Sequence, residues 1–138
     1  MLAVKTYPQD HIDACRTLMD AQLSSYEALK ATSKATGAAA EKTFEPLFLN
    51  HLVVVLDGYF MHRTRAVEGK DGNPLNEVRM LAVSVLDNGG VLAADKTIKY
   101  TPDTSVTGLA VGDEIRLDLD SFTRLVRAYF AELETRFT

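Results

Sequence analysis

The sequence predicts a mainly α fold: a four-helix bundle-like single domain over residues 1–138, with a small β-hairpin between the third and fourth helices. Three observations carry this. Apolar residues recur at three- and four-residue intervals along most of the chain, the spacing of one buried helix face. Turn chemistry punctuates those stretches at Gly69–Pro74 and at Asn88-Gly89-Gly90. Between residues 91 and 120 the helical period disappears and alternation replaces it.

The first nine residues read as an irregular arm. Asp10 stands where a helix cap is wanted, and Asp13 adds negative charge to the first turn, where the helix dipole favours it. From Ile12 through Cys15, Leu18, Met19, Gln22, Leu23, Tyr26 and Leu29, one stripe predicts a helix to about Ala35, with Gly37 as its stop. Ala38–Lys42 suits either a loop or a helical extension.

A second helix is expected over roughly residues 44–68, starting at Thr43 and tolerating Pro46 near its beginning. It is apolar nearly all round between Leu47 and Met61, the pattern of a bundle centre or an oligomer interface. Its polar exceptions cluster. With Asn50 at zero and 100° per residue, Asp57 falls near about −20°, Glu68 near 0°, Arg65 near 60°, Gly58 near 80°, His51 near 100° and His62 near 120°. Asp57 or His51 buried without a partner would cost several kcal/mol, so each needs one or faces solvent.

Gly69 and Gly72 frame a sharp reversal. Asn73 is a cap candidate and Pro74 suits the first helical position, so a third helix is expected over 74–87, burying Leu75, Val78, Leu81, Ala82, Val85 and Leu86. The short link makes helices two and three an antiparallel hairpin. Val106–Val111 and Glu114–Leu119, around Gly112-Asp113, read as the β-hairpin, the alternative being a last helix that starts at Asp113. The last helix, 120–137, takes Asp120 or Ser121 as its cap and buries Phe122, Leu125, Val126, Tyr129, Phe130, Leu133 and Phe137.

Composition narrows the function classes. A net charge of −4 and a pI near 5.3 disfavour nucleic-acid binding, and no basic recognition helix is present. The most apolar run falls short of the ~20 residues needed to span a bilayer, and the N-terminus has no secretory pattern. The single Cys15 has no partner for an intramolecular disulfide. A soluble, cytoplasmic domain is expected.

No catalytic or cofactor motif is present, and no cofactor is expected. His51 and His62 would lie about 16 Å apart along one helix, too far to share an ion. His62 with Glu68, Asp71 or Glu77 matches no established metal spacing, so no metal site is assigned. The turn 69–73 lacks the order of a phosphate loop and the ligand positions of a calcium loop.

One stretch concentrates polar chemistry. The predicted helical hairpin brings His62, Arg65 and Glu68 beside Asn73, Asn76, Glu77 and Arg79. Guanidinium groups bind carboxylates and phosphates in bidentate fashion. Two readings follow. In the first, Arg63, Arg65 and Arg79 pair with Glu68 and Glu77 in a salt-bridged lock, and the protein acts by homodimeric assembly or partner binding through helix two or the last helix. In the second, those seven residues form a site for a small anionic molecule, with Arg65 and Arg79 as clamps and His62 as donor or acid/base. A lock pairs its charges off; a site keeps a pocket with an unpaired Arg and His62 turned into it.

Overall fold

The computed structural model describes residues 3–32 and 38–138. It is mainly helical, with five α-helices: α1 (Gln9–Thr32), α2 (Ala38–Tyr59), α3 (Arg65–Glu68), α4 (Pro74–Asp87) and α5 (Leu119–Phe137). The core lies between α2, α4 and α5, with α1 laid across it. No helix among the described residues is long and apolar enough to cross a membrane.

The α1 stripe buries Ile12, Cys15, Met19, Leu23 and Tyr26, while Leu18 and Leu29 at its margin stay exposed. Asp10 lies inside the first turn rather than capping it, because Pro8 already supplies the carbonyl that Ile12 N–H reaches. The expected stop at Ala35–Gly37 lies outside the described residues.

The second predicted helix, 44–68, is corrected at both ends. It begins at Ala38, so the alanine run extends the helix. It ends at Tyr59, and His62 takes a left-handed φ of 64° before the chain re-enters one helical turn as α3. The N-terminal arm holds the break. Val4 N–H donates to His62 O at 2.7 Å, Thr64 N–H donates to Val4 O at 2.8 Å, and Tyr7 Oη donates to Met61 O at 3.1 Å. Backbone groups that a continuous helix would have satisfied internally are thus satisfied by the arm.

Pro46 inside α2 has no N–H for the carbonyl of Lys42, four residues back. Arg116 Nη2 donates to that carbonyl at 3.1 Å. One turn further on, Asn50 acts as a substitute strand neighbour. Its Nδ2 donates to Ile115 O at 2.7 Å and its Oδ1 accepts from Leu117 N–H at 3.3 Å.

These bonds explain why the predicted β-hairpin is absent; the described residues contain no β-strand, only isolated bridges. Gly112 and Asp113 do turn the chain, but residues 106–111 never pair with 114–119. The 112–115 segment instead bonds to 90–92, with a single antiparallel bridge between Val91 and Glu114. Val106 and Thr107 are held elsewhere, by Glu77. Side chains on α2 and α4 compete successfully for the backbone groups a ladder would have used.

α4 matches its expected bounds. Asn73 Oδ1 accepts from Leu75 and Asn76 N–H, and Pro74 occupies the first turn. Gly90 N–H returns to Ser84 O beyond the last turn, with Gly89 and Gly90 both at positive φ. α5 buries the seven predicted residues, but its cap is Asp118, in a reciprocal box with Ser121, rather than Asp120 or Ser121. A carboxylate at 118 reaches the Ser121 N–H, which one at 120 is too close to meet.

Candidate functional site

Glu68 is the centre of the polar corner. It closes α3, is fully buried, and faces the first turn of α4 across the Gly69–Asn73 reversal. Gly72 makes that reversal possible. Its φ is +88°, and a Cβ there would stand 2.4 Å from Lys99 O.

Four donor groups meet the two carboxylate oxygens. Arg63 Nε donates to Oε1 at 2.8 Å and Arg79 Nη2 to the same oxygen at 2.6 Å. Arg79 Nε and Asn76 Nδ2 donate to Oε2 at 3.0 and 2.8 Å. Burial alone pushes the Glu68 carboxyl up. The Arg79 hydrogen bond and the charges of Arg63 and Arg79 more than reverse that, bringing it down to about 2.

Arg63 is itself buried and reaches three further groups: Asp57 Oδ1, Phe60 O and Tyr129 Oη, each at 3.0 Å. Burial opposes its charge, but the charges of Asp57 and Glu68 and the Glu68 hydrogen bond outweigh burial and push its pKa up. Burial likewise pushes the Tyr129 hydroxyl up, so it stays neutral. Asp57, Arg63, Glu68 and Arg79 form a chain of alternating charge, two acids against two bases, running inward from α2 to α4.

The other predicted site residues are placed as follows. Asn73 and Asn76 belong to the corner. Asn73 Nδ2 donates to Glu68 O, and Asn76 Nδ2 also reaches Gly69 O. Glu77 is buried but faces the opposite way, accepting from Val106 N–H, Thr107 N–H and Thr107 Oγ1 at 2.6–2.9 Å. His62 is exposed, and its carbonyl engages the N-terminal arm. Arg65 turns away from Glu68, and its Nη2 donates to Thr97 Oγ1 at 3.0 Å. The structure therefore gathers Glu68, Asn73, Asn76 and Arg79, leaves His62 and Glu77 apart from them, and sets Arg65 beside Arg79 but off Glu68.

Arg63 and Asp57 complete the network; the sequence offers Arg63 for a salt-bridged corner but does not by itself show that it is buried. A signal existed. Continued at 100° per residue along the predicted helix 44–68, Arg63 shares the phase of Leu52 and Leu56 to within about 20°, so a guanidinium falls on that helix's apolar side and demands a buried partner. Asp57, flagged as needing a partner, finds it in Arg63.

As chemistry, the corner holds a fixed carboxylate saturated by donors. It has no lone pair left for a proton transfer and no nucleophile beside it. Cys15, the chain's only thiol, is buried in α1, and burial pushes its pKa up, away from thiolate reactivity. No group of three His, Cys, Asp or Glu side chains among the described residues is arranged to hold a metal ion. No protein-family model, curated protein or solved structure matches the chain.

Proposed function

We propose that this protein acts through assembly, pairing the outer face of α2 with the same face of a second copy, and that the Glu68 corner is the lock that holds α2 and α4 in register for it. The observation that carries this reading is a solvent-facing stripe on α2. Phe44, Leu47, His51, Val55 and Gly58 are exposed, and at 100° per residue they fall within an arc of about 80°. Phe44, Leu47 and Val55 are 48%, 59% and 42% exposed.

Charge supports a like partner. Between Thr43 and Leu56 the only charged residue of α2 is Glu45, which is buried and accepts from Tyr26 Oη and Lys30 Nζ. A helix surface that carries no charge of its own over three turns, flanked by the mutually paired Glu114 and Arg116, favours a like partner over an acidic or basic one. A Cβ on Gly58 would meet nothing within 4 Å in its own chain, which leaves room for a neighbouring helix to approach. The outward face of α5 is a poorer candidate, since it carries Asp120, Arg124 and Arg127. A cytoplasmic setting fits this reading, because assembly through an apolar face needs no disulfide.

Light scattering across a concentration series tests it. Wild type is expected at twice the 15.2 kDa chain mass. Leu47→Asp and Val55→Asp should each return the monomer mass with unchanged helicity. A wild type that stays at the chain mass at all concentrations would end the self-assembly reading.

A further inference from the structure

Beside the lock, and separate from the α2 face, lies a cavity of about 310 Å³ between α4 and the 93–96 segment. Its polar lining is Arg65, Arg79, Lys96 and Asp95, and its floor is apolar, with Met80 and Val83 among the lining residues. From this geometry we infer a binding site for a small oxyanion, a carboxylate or phosphate group carried on a compact molecule.

The charge count leads there. Asp57, Arg63, Glu68 and Arg79 balance one another, two acids against two bases. That leaves Arg65 and Lys96 against the single carboxylate of Asp95, so the cavity holds one cation in excess. One oxygen of Asp95 is also occupied: Oδ1 accepts from Thr97 N–H at 2.8 Å and from Thr97 Oγ1 at 2.6 Å.

Arg65 is the residue whose surroundings call for a ligand. A guanidinium carries five N–H donors. Among the described residues Arg65 makes no ion pair, and its one hydrogen bond goes to the Thr97 hydroxyl, a neutral acceptor already donating to Asp95. Its Nε is buried with no hydrogen-bond partner. The neighbouring Arg79 is different: Nε and Nη2 are spent on Glu68, which fixes the plane of the fork and leaves Nη1. One guanidinium is thus held rigid by the lock, a second is underused, and an exposed ammonium stands at the rim.

The site binds rather than reacts. Its one hydroxyl is not activated: Ser84, in the same wall, is buried, donates to Met80 O and accepts from Ala93 N–H. Thr97 is the hinge of the arrangement. An oxyanion that takes the Arg65 fork bidentately competes with the single Thr97 bond, so binding is coupled to the 95–97 turn.

The test is a titration of isotope-labelled protein with inorganic phosphate, and separately with acetate, at constant ionic strength held by chloride. Amide resonances of Ala94, Lys96 and Thr97 are read. Saturable shifts confined to that segment are expected with one or both anions, and the stronger of the two identifies the headgroup. Arg65→Gln should weaken binding about tenfold, since it removes a charge-assisted fork. Lys96→Gln should weaken it about threefold, as expected for an exposed charge, and its exposure keeps folding out of the comparison. Shifts that never saturate, that spread over the surface, or that are unchanged in Lys96→Gln and Arg65→Gln would overturn the assignment. The dimer measurement is independent, so either inference can fail alone.

Discussion

Arg79 lays its fork across both oxygens of Glu68, with Nε 3.0 Å from Oε2 and Nη2 2.6 Å from Oε1, and so ties the end of α3 to the first turns of α4. Both ends of this bond are sequence-local, eleven residues apart, yet the carboxylate is fully buried. A buried ion pair of this kind contributes little over an apolar substitute, but breaking it is expensive because one charge is left uncompensated.

Glu68→Gln keeps the shape of the side chain and removes its charge, leaving Arg63 with Asp57 as its only carboxylate. The expected loss is about 3–5 kcal/mol in urea unfolding. Arg79→Lys keeps the charge and loses the fork, and should cost less, about 1–2 kcal/mol. An Arg79→Lys variant as stable as wild type would mean that charge alone, rather than bidentate geometry, holds the corner.

The same pair sets a pH dependence. The Glu68 carboxyl lies at about 2 in the folded protein, against 4.5 for an ordinary glutamate. A depressed pKa means that the folded state binds the proton less tightly than the unfolded chain. The stabilisation is therefore complete above about pH 4.5 and is lost as the pH falls toward 2, amounting to about 3 kcal/mol. Chemical unfolding at a series of pH values should show this slope in wild type and a shallower one in Glu68→Gln. Parallel slopes would place the acid sensitivity in other carboxylates, such as Asp71, Asp95 and Asp118, which hydrogen bonds also hold below their ordinary values.

Glu77 offers a separate measurement, because it secures a loop rather than a helix pair. Its carboxylate is the acceptor for both Val106 and Thr107 N–H. Glu77→Gln leaves a single acceptor oxygen for them, with an expected cost of about 1–3 kcal/mol. Hydrogen exchange at those two amides should accelerate at least about tenfold, while amides in the middle of α5 change only with global stability. Unchanged exchange at Val106 and Thr107 would show that the loop is held by its own turns.

How legible the chain was depends on the range of the interactions involved. The α4 bounds could be read from Asn73-Pro74 and Asn88-Gly89-Gly90, because capping and positive-φ turns are settled within a few residues. The buried face of α5 followed from spacing alone, since a helix can present only one stripe to a core, whereas on α1 spacing drew the stripe too wide and Leu18 and Leu29 stay exposed. The cap of α5 was misread by two residues because Asp118, Asp120 and Ser121 all have capping chemistry, and only the reciprocal bonds to Ser121 choose among them.

The sequence by itself determined a helical protein, the reversal at Gly69–Asn73, and the convergence of Glu68, Asn73, Asn76 and Arg79, which are close in the chain. Only the tertiary structure decided where α2 stops and what residues 91–118 become. α2 breaks because an arm more than fifty residues away supplies backbone partners at His62 and Thr64. The hairpin is absent because Asn50 and Glu77, from two different helices, take the backbone groups its ladder required. It also decided that, of the arginines offered for the lock, Arg63 stays in it and Arg65 leaves it. Two arginines two residues apart have the same chemistry on paper, and the packing around Tyr129 and Thr97 gives them opposite surroundings.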